Sequence, residues 1–451
     1  MSEVSPDGSA VRTELLQDGT FDRDPSSWRW IGTHRHSQII DDPLAPGSGN
    51  RVLRLVATGA AGHMHNHLET TLTTSVQNGR TYQISYRACW VQGSNQLNTR
   101  LYFDRVARTT EIQMSSAILG TPGLPNAAQA NSPSPHVFDV RHSPLVPQPN
   151  DPVVISAAVQ AASPGLQLTC HLEVSIGGNA LPDVPMMPAA EGRFEASVPA
   201  QPDGTVVSFR LVASTSAGST TTFPQRENLA SSALYRVGPS VGASEAKPSV
   251  HIILTEETNR WFLAPENRMS NDHVAATVIF GREVYYNVGV RGKGSERGRV
   301  TDERLGFALY FDPAQPLLGA YRSAMLDRSE GQRTGQREWL LNQAMARSGS
   351  VSTEYNDLVR VVAPQPEHSG SAELQLARFG NTMLDRQFEN GGDGQLYEFE
   401  LIYYPRTTKQ GTGTLPPPPP RSSSRRRRGG RVGGGPDGAS EQTRRLFATR
   451  C

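Results

Sequence analysis

The sequence predicts a mainly β, multidomain protein, and three observations carry that prediction. Short runs rich in Val, Thr, Ile and Tyr alternate apolar with polar residues, as in Val284–Val290, the period-2 pattern of a half-buried strand. Turn residues punctuate these runs at Asn78-Gly79, Gly177-Gly178 and Asp203-Gly204, as hairpin connections require. Stretches of helical period are scarce, and a chain of 451 residues exceeds one ordinary core, so roughly two to four domains are expected.

Residues 1–13 carry no strong pattern and are expected to be disordered. The first module spans 14–119. Strands are predicted at Arg51–Val56, Leu68–Val76, Thr81–Val91 and Thr99–Phe103, a spacing that argues for a sandwich,. Residues 120–135 have the Pro/Asn/Ala composition of a linker,. Strands at Val153–Val159, Leu166–Ile176, Arg193–Val198, Val206–Ala213 and Thr220–Phe223 mark a second module over 136–237. It reads as an immunoglobulin or fibronectin type III sandwich acting as a spacer. A linker over 238–248 leads to a third module over 249–408, which mixes strands with a predicted helix, Gly335–Arg347. Residues 409–451 hold Pro416–Pro420 and Arg425–Arg428; such a composition cannot bury a core and is expected to be disordered.

Composition narrows the function. A net charge of +1 gives no global field toward nucleic acid or membrane, and the local Arg425–Arg428 cluster reads as a solvated tail. No apolar stretch is long enough to cross a bilayer, and the N-terminus has no signal-peptide pattern,. Three cysteines, Cys89, Cys170 and Cys451, lie far apart. A disulfide framework is not expected, and Cys89 and Cys170 read as buried, inert thiols.

Several residues could bind. Trp28 and Trp30 share strand parity and would point the same way. His34 and His36, and then His63, His65 and His67, form H-x-H patterns. On a strand the last three share a face, as ligands for Zn²⁺ or Cu²⁺ would, or as imidazole faces that meet a sugar beside indole. A polar strand face is the alternative, and the metal remains unassigned. In the third module Arg291, Lys293, Arg297 and Arg299 crowd a loop holding Gly292, Gly294 and Gly298. Backbone N–H groups and cations so combined suit phosphate or carboxylate.

Two resemblances sharpen these readings. Asp18, Gly19, Phe21, Trp28, Gly79, Tyr82 and Arg87 resemble the pattern of CenC-type carbohydrate-binding modules. That resemblance implies a β-jelly roll, a polysaccharide or cell-surface glycan as partner, and a possible structural divalent ion. The third module resembles the N-terminal part of the CotH family, the spore-coat-protein-H-type kinases. The matching segments are Met269–Asp272, Ala275–Arg299, Gly335–Leu341 and Gln387–Pro405. This second resemblance implies an α+β, kinase-like partial lobe in which Lys293, held by Glu338, would meet nucleotide phosphate with Arg291 and Arg297 nearby. ATP and Mg²⁺ would be its cofactors if the lobe were completed.

The acidic residues that family uses for transfer belong to a later part of its domain, and Asp385, Glu389 and Asp393 do not reproduce a metal motif. No catalytic residue is therefore assigned. A truncated or frame-shifted copy would explain the tail. The expected protein is a glycan-binding, cell-surface or extracellular modular protein, with a CotH-type kinase or a structural surface component as alternatives.

Overall fold

The computed structural model of the chain describes residues 1–391, apart from 6, 8, 13, 23–24, 58–65, 102–105, 114–132, 226–231, 239–247, 269, 295–298, 300–301, 330–336, 350–354 and 377–380. The fold is mainly β and multidomain, built from several separate sheets. The predicted tail over 409–451 lies outside the described residues.

Among the described residues the N-terminal region forms the short strands β1 (Ser2–Val4), β2 (Ala10–Arg12), β3 (Trp28–Ile31), β4 (Gln38–Asp41), β5 (Arg51–Arg54), β6 (His67–Thr70), β7 (Thr81–Gln83), β8 (Gln96–Leu101) and β9 (Val106–Glu111). They pair as one three-stranded sheet, β2-β1-β7, and three antiparallel pairs, β3-β6, β4-β5 and β8-β9. Residues 1–13, expected to be disordered, supply β1 and β2. Their order has a local cause: β1 adds to the open edge of β7, and the Met1 side chain is buried. The predicted strand Thr81–Val91 is cut to three residues. Beyond Gln83, Ile84 and Tyr86 are exposed, and the Tyr86 hydroxyl donates to the Thr110 hydroxyl.

The second region holds β10 (His136–Ser143), β11 (Val153–Gln160), β12 (Leu168–Ile176), β13 (Asn179–Ala180), β14 (Val184–Pro188), β15 (Arg193–Val198), β16 (Val206–Thr215), β17 (Thr220–Phe223) and β18 (Ala233–Arg236). The order is β10-β11-β15-β14-β12-β16-β17, with β13 paired to β12 and β18 to β16. Strand β16 alternates without a break: Val207, Phe209, Leu211 and Ala213 are buried. Gly177 and Gly178 both have positive φ, 57° and 84°, which lets a two-residue turn join β12 to β13.

The third region is a closed barrel of β19 (Ser249–Ile253), β20 (Val274–Phe280), β21 (Glu283–Gly292), β22 (Phe307–Tyr310), β23 (Ser323–Asp327), β24 (Tyr355–Val362) and β25 (Gly370–Leu376). The order is β19-β20-β21-β22-β23-β25-β24, closed by a parallel β24–β19 pairing. Helices α1 (Glu256–Leu263), α2 (Arg337–Ser348) and α3 (Asn381–Gln387) lie outside the sheet. Thr255 caps α1, its hydroxyl accepting from the Thr258 amide,.

A bulge in the β20–β21 ladder decides how barrel and sandwich meet. Ala276 pairs with Val288 and Val278 with Tyr285, so Thr277 opposes both Tyr286 and Asn287, the latter at φ 52°,. Strict alternation of β21 would place Tyr286 beside Val288. Instead Tyr285, Val288 and Val290 enter the barrel core, while Tyr286 enters the sandwich core with Phe209 and Tyr235. Thr277 is fully buried, and its hydroxyl accepts from the Leu234 amide at 2.8 Å. Leu234, Ile253 and Ile279 form an apolar cluster across the same junction. The sandwich expected to act as a spacer is thus packed against the barrel, because the extra residue turns an aromatic ring out of one core into the other.

Candidate functional site

Strands β3 and β6 pair Trp28 with Thr70, Arg29 with Glu69, Trp30 with Leu68 and Ile31 with His67. Directly paired residues share a face, so the two tryptophans look one way and Arg29, Glu69 and His67 the other. Trp28 is anchored: its Nε1 donates to the Asp18 carbonyl at 2.9 Å, and its ring packs on Phe21 at 5.3 Å. Trp30 is half-buried. Trp90, by contrast, is buried, with Nε1 donating to the Gly93 carbonyl, so it fills core.

The opposite face carries a row of planar polar groups. Arg29 pairs with Glu69, and the second Glu69 oxygen lies 3.0 Å from His67 Nε2. His63 and His65 lie outside the described residues, so the three-histidine face stands untested beyond His67. Among the described residues no group of three His, Cys, Asp or Glu side chains is placed to hold a metal ion.

His34 lies near His67 of the ribbon, and the residues around His34 and His36 form a seam with the barrel. The Gly32 amide donates to Asn267 Oδ1 at 3.0 Å. Asn66 Oδ1 accepts from both the Thr33 amide and the Ser270 hydroxyl, each at 3.2 Å. Arg35 pairs with buried Asp272 at 2.8 Å and lies over the Trp261 ring at 5.0 Å. Burial, and then the neighbouring His67, lowers the His34 pKa to about 4. Burial and the Arg35 charge lower that of His36 to about 4. Both imidazoles are neutral at pH 7 and serve as uncharged seam groups.

On the barrel, Arg291 and Lys293 alternate with Gly292 and share the outer face. Lys293 reaches across β22 to an ion pair with Asp327 at the end of β23. Gly306 makes that reach possible: a Cβ there would meet the Leu326 carbonyl oxygen at 2.7 Å and Lys293 Cβ at 3.2 Å. Burial alone would raise the Asp327 pKa, but the Lys293 charge and the Lys293 and Ser329 hydrogen bonds outweigh it and hold the carboxyl below its usual range. Asp327 pairs across the ladder with Glu373 of β25. Glu373 accepts from Asn356 at 2.6 Å, yet its pKa is raised to about 7 by burial and by the Glu338 and Asp327 carboxylates.

The resemblance placed Lys293 against Glu338. In the structure the carboxylate paired with Lys293 is Asp327, while Glu338 accepts from Gln375 at 3.5 Å. Lys293 and Glu338 do reach one face of the barrel, linked through Asp327 and Glu373. The reason is position: Glu338 opens α2, which lies over β24 and β25, two strands beyond Lys293's reach across Gly306. Arg291 is held by Tyr310, whose hydroxyl accepts from Nε at 3.1 Å; Arg297 lies outside the described residues. Sequence reasoning missed Asp327, Glu373, Asn356 and Gly306. A signal existed in the lone charge of Ala372-Glu373-Leu374 inside an apolar strand.

Comparison with known proteins identifies no relative in sequence. No family model matches, and no curated protein matches. Among solved structures, the chain is similar to an uncharacterised protein of Listeria monocytogenes EGD-e in complex with α- and β-D-glucose, magnesium and calcium. It is similar to the same extent to a cycloalternan-forming enzyme of Listeria monocytogenes in complex with a pentasaccharide substrate. Each likeness has 10% identity and a TM-score of 0.18, over 42% of this chain. The chain covers 17% of the length of either structure, and a likeness of that size carries no argument about fold or activity.

Proposed function

We propose that the chain is a modular binding protein of the cell surface or extracellular space that holds a polysaccharide through the β3–β6 ribbon. The observation that carries this reading is the Arg29–Glu69–His67 row, which lines one face of the ribbon with an exposed guanidinium beside a half-buried carboxylate and imidazole. Planar groups such as guanidinium, carboxylate and imidazole offer paired donors and acceptors to vicinal hydroxyls of a pyranose. The resemblance to CenC-type modules supports the same ligand class and the same location. Pull-down on a panel of insoluble polysaccharides tests it. Retention on at least one, lost in Glu69→Ala, is expected; retention on none removes the reading.

A second reading, phosphoryl transfer, is favoured by one specific observation. Lys293 and Asp327 form a charge pair beside Glu373, a carboxyl that titrates near neutrality. A lysine that meets phosphate and a carboxyl near its working pH are groups this chemistry employs. The described acidic residues are not grouped to hold Mg²⁺, so no metal-dependent step is assigned to them. Incorporation of labelled phosphate from ATP, abolished by Lys293→Ala, would establish this second reading in place of simple binding.

A further inference from the structure

A cleft of about 150 Å³ opens in the first module between β1, β7 and the segment that leads into β7. Glu3, Arg80, Tyr82 and Gln77 line it together with Thr74 and Ser75. A volume of this order accommodates one six-membered ring. We propose that this cleft is a second sugar subsite, which takes a single neutral pyranose unit independently of the β3–β6 ribbon.

The register of β1 on β7 builds the cleft. Glu3 pairs directly with Tyr82, so the carboxylate and the phenol project from one face. The Asn78-Gly79 turn brings up the opposite wall: the Arg80 amide donates to the Gln77 carbonyl at 3.3 Å, with Gly79 at φ 78°, a conformation glycine adopts readily. The Gln77 amide donates to the Tyr82 hydroxyl at 2.9 Å. That bond fixes the phenol, whose own proton remains for an acceptor in the cleft. Leu15, buried at 4% exposure, supplies an apolar part of the wall.

Charge and hydrogen-bonding capacity select the ligand. The lining holds one carboxylate and one guanidinium, Glu3 and Arg80, which pair with each other at 3.5 Å. A charged ligand would compete with one member of that pair, whereas a neutral one leaves it in place. The Glu3 side chain is 13% exposed and that of Arg80 59%. A carboxylate has about four lone-pair sites, so Glu3 can accept from ligand hydroxyls while Arg80 stays beside it. The Thr74 and Ser75 hydroxyls and the Gln77 carboxamide both donate and accept, as vicinal hydroxyls require. The apolar atoms of Tyr82 and Leu15 are there for the C–H groups of the ring. This subsite shares the ligand class of the β3–β6 reading but none of its residues.

Saturation-transfer NMR on the full chain tests the subsite. The probes are methyl β-D-glucoside, methyl β-D-galactoside and methyl α-D-mannoside, with glucuronate as the charged comparison. Saturable binding of at least one neutral glycoside is expected. It should weaken tenfold or more in Ser75→Trp, which fills the cleft, and in Glu3→Gln, which keeps the shape of the side chain but not its charge. Ser75 is exposed, so Ser75→Trp can be read at a preserved thermal midpoint even where Glu3→Gln fails to fold. Binding of none of the three glycosides, tighter binding of glucuronate, or an affinity unchanged in Ser75→Trp overturns the subsite. Glu69→Ala separates the two readings. Affinity lost there but kept in Ser75→Trp assigns the sugar to the ribbon and overturns the cleft, and the converse supports the cleft without the ribbon.

Discussion

Nδ1 of His142 lies 2.6 Å from the hydroxyl oxygen of Tyr286, and this contact joins the sandwich to the barrel inside a shared core. His142 Nε2 is 3.0 Å from the Leu145 carbonyl, which can only accept. Nε2 therefore carries the proton, and Nδ1 accepts from the tyrosine hydroxyl. The imidazole also stacks on Tyr235 at 5.5 Å. Tyr286 reaches this place through the bulge at Thr277, so a local irregularity in one ladder sets a long-range junction.

The junction makes stability depend on pH. Burial lowers the His142 pKa to about 4, against an opposing contribution from the Leu145 carbonyl. The folded state keeps the imidazole neutral, whereas the unfolded chain takes up a proton below about pH 6.5. Stability is thus fully present above pH 6.5 and falls as the pH drops toward 4. Denaturant melts at pH 7 and pH 4.5 should show the loss, and His142→Gln should reduce it. Tyr286→Phe leaves the imidazole nitrogen buried without its donor and should cost about 1–3 kcal/mol at pH 7.

Glu373 gives the opposite signature from a depressed group. Its folded pKa is raised to about 7, so the folded state holds a proton that the unfolded chain releases near pH 4.5. Its contribution is complete below pH 4.5 and is lost as the pH rises toward 7. Glu373→Gln should flatten that fall, as read from melts across the same interval.

Gly306→Ala probes how Lys293 crosses β22. The new Cβ would meet a backbone carbonyl oxygen at 2.7 Å, which cannot swing aside as a side chain would. A loss of about 1–3 kcal/mol is expected, with the Lys293–Asp327 pair disturbed. A double-mutant cycle of Lys293→Met and Asp327→Leu should show a coupling of at least about 1 kcal/mol, which Gly306→Ala diminishes.

Arg35→Ala should loosen the first module from the barrel. It removes the Arg35 guanidinium from Asp272, buried at 4% exposure, where losing a buried partner is destabilising. Faster hydrogen exchange of the Gly32 and Thr33 amides, which bond Asn267 and Asn66, is the readout. Unchanged exchange would mean that the seam is held by its other contacts.

Much of this architecture was legible in the sequence, for stated reasons. The strands Val153–Val159, Arg193–Val198 and Val206–Ala213 emerge almost as read, because period-2 burial on a sandwich face leaves its mark on each residue. The predicted helix Gly335–Arg347 appears as Arg337–Ser348. On it Leu340 and Leu341 are exposed, while Glu338 and Asn342 reach the sheet. Strict alternation misplaced Tyr286, because a bulge leaves no periodic trace. The pairing of Asp327 with Glu373 was invisible because it comes from cross-strand register, which spacing along one strand does not encode,. Cys170, read as a buried, inert thiol, is free and buried; burial raises its pKa to about 11.

A depletion isotherm on the polysaccharide that retains the wild-type chain bears most directly on the proposed binding. Wild type, Arg29→Ala and Glu69→Ala would be compared at equal thermal midpoint. Saturable binding weakened tenfold or more in both variants is expected, since a guanidinium and a carboxylate each contribute about 1–3 kcal/mol when they hydrogen-bond a ligand. Isotherms that superimpose for all three proteins would place the ligand elsewhere and contradict the assignment of the β3–β6 ribbon.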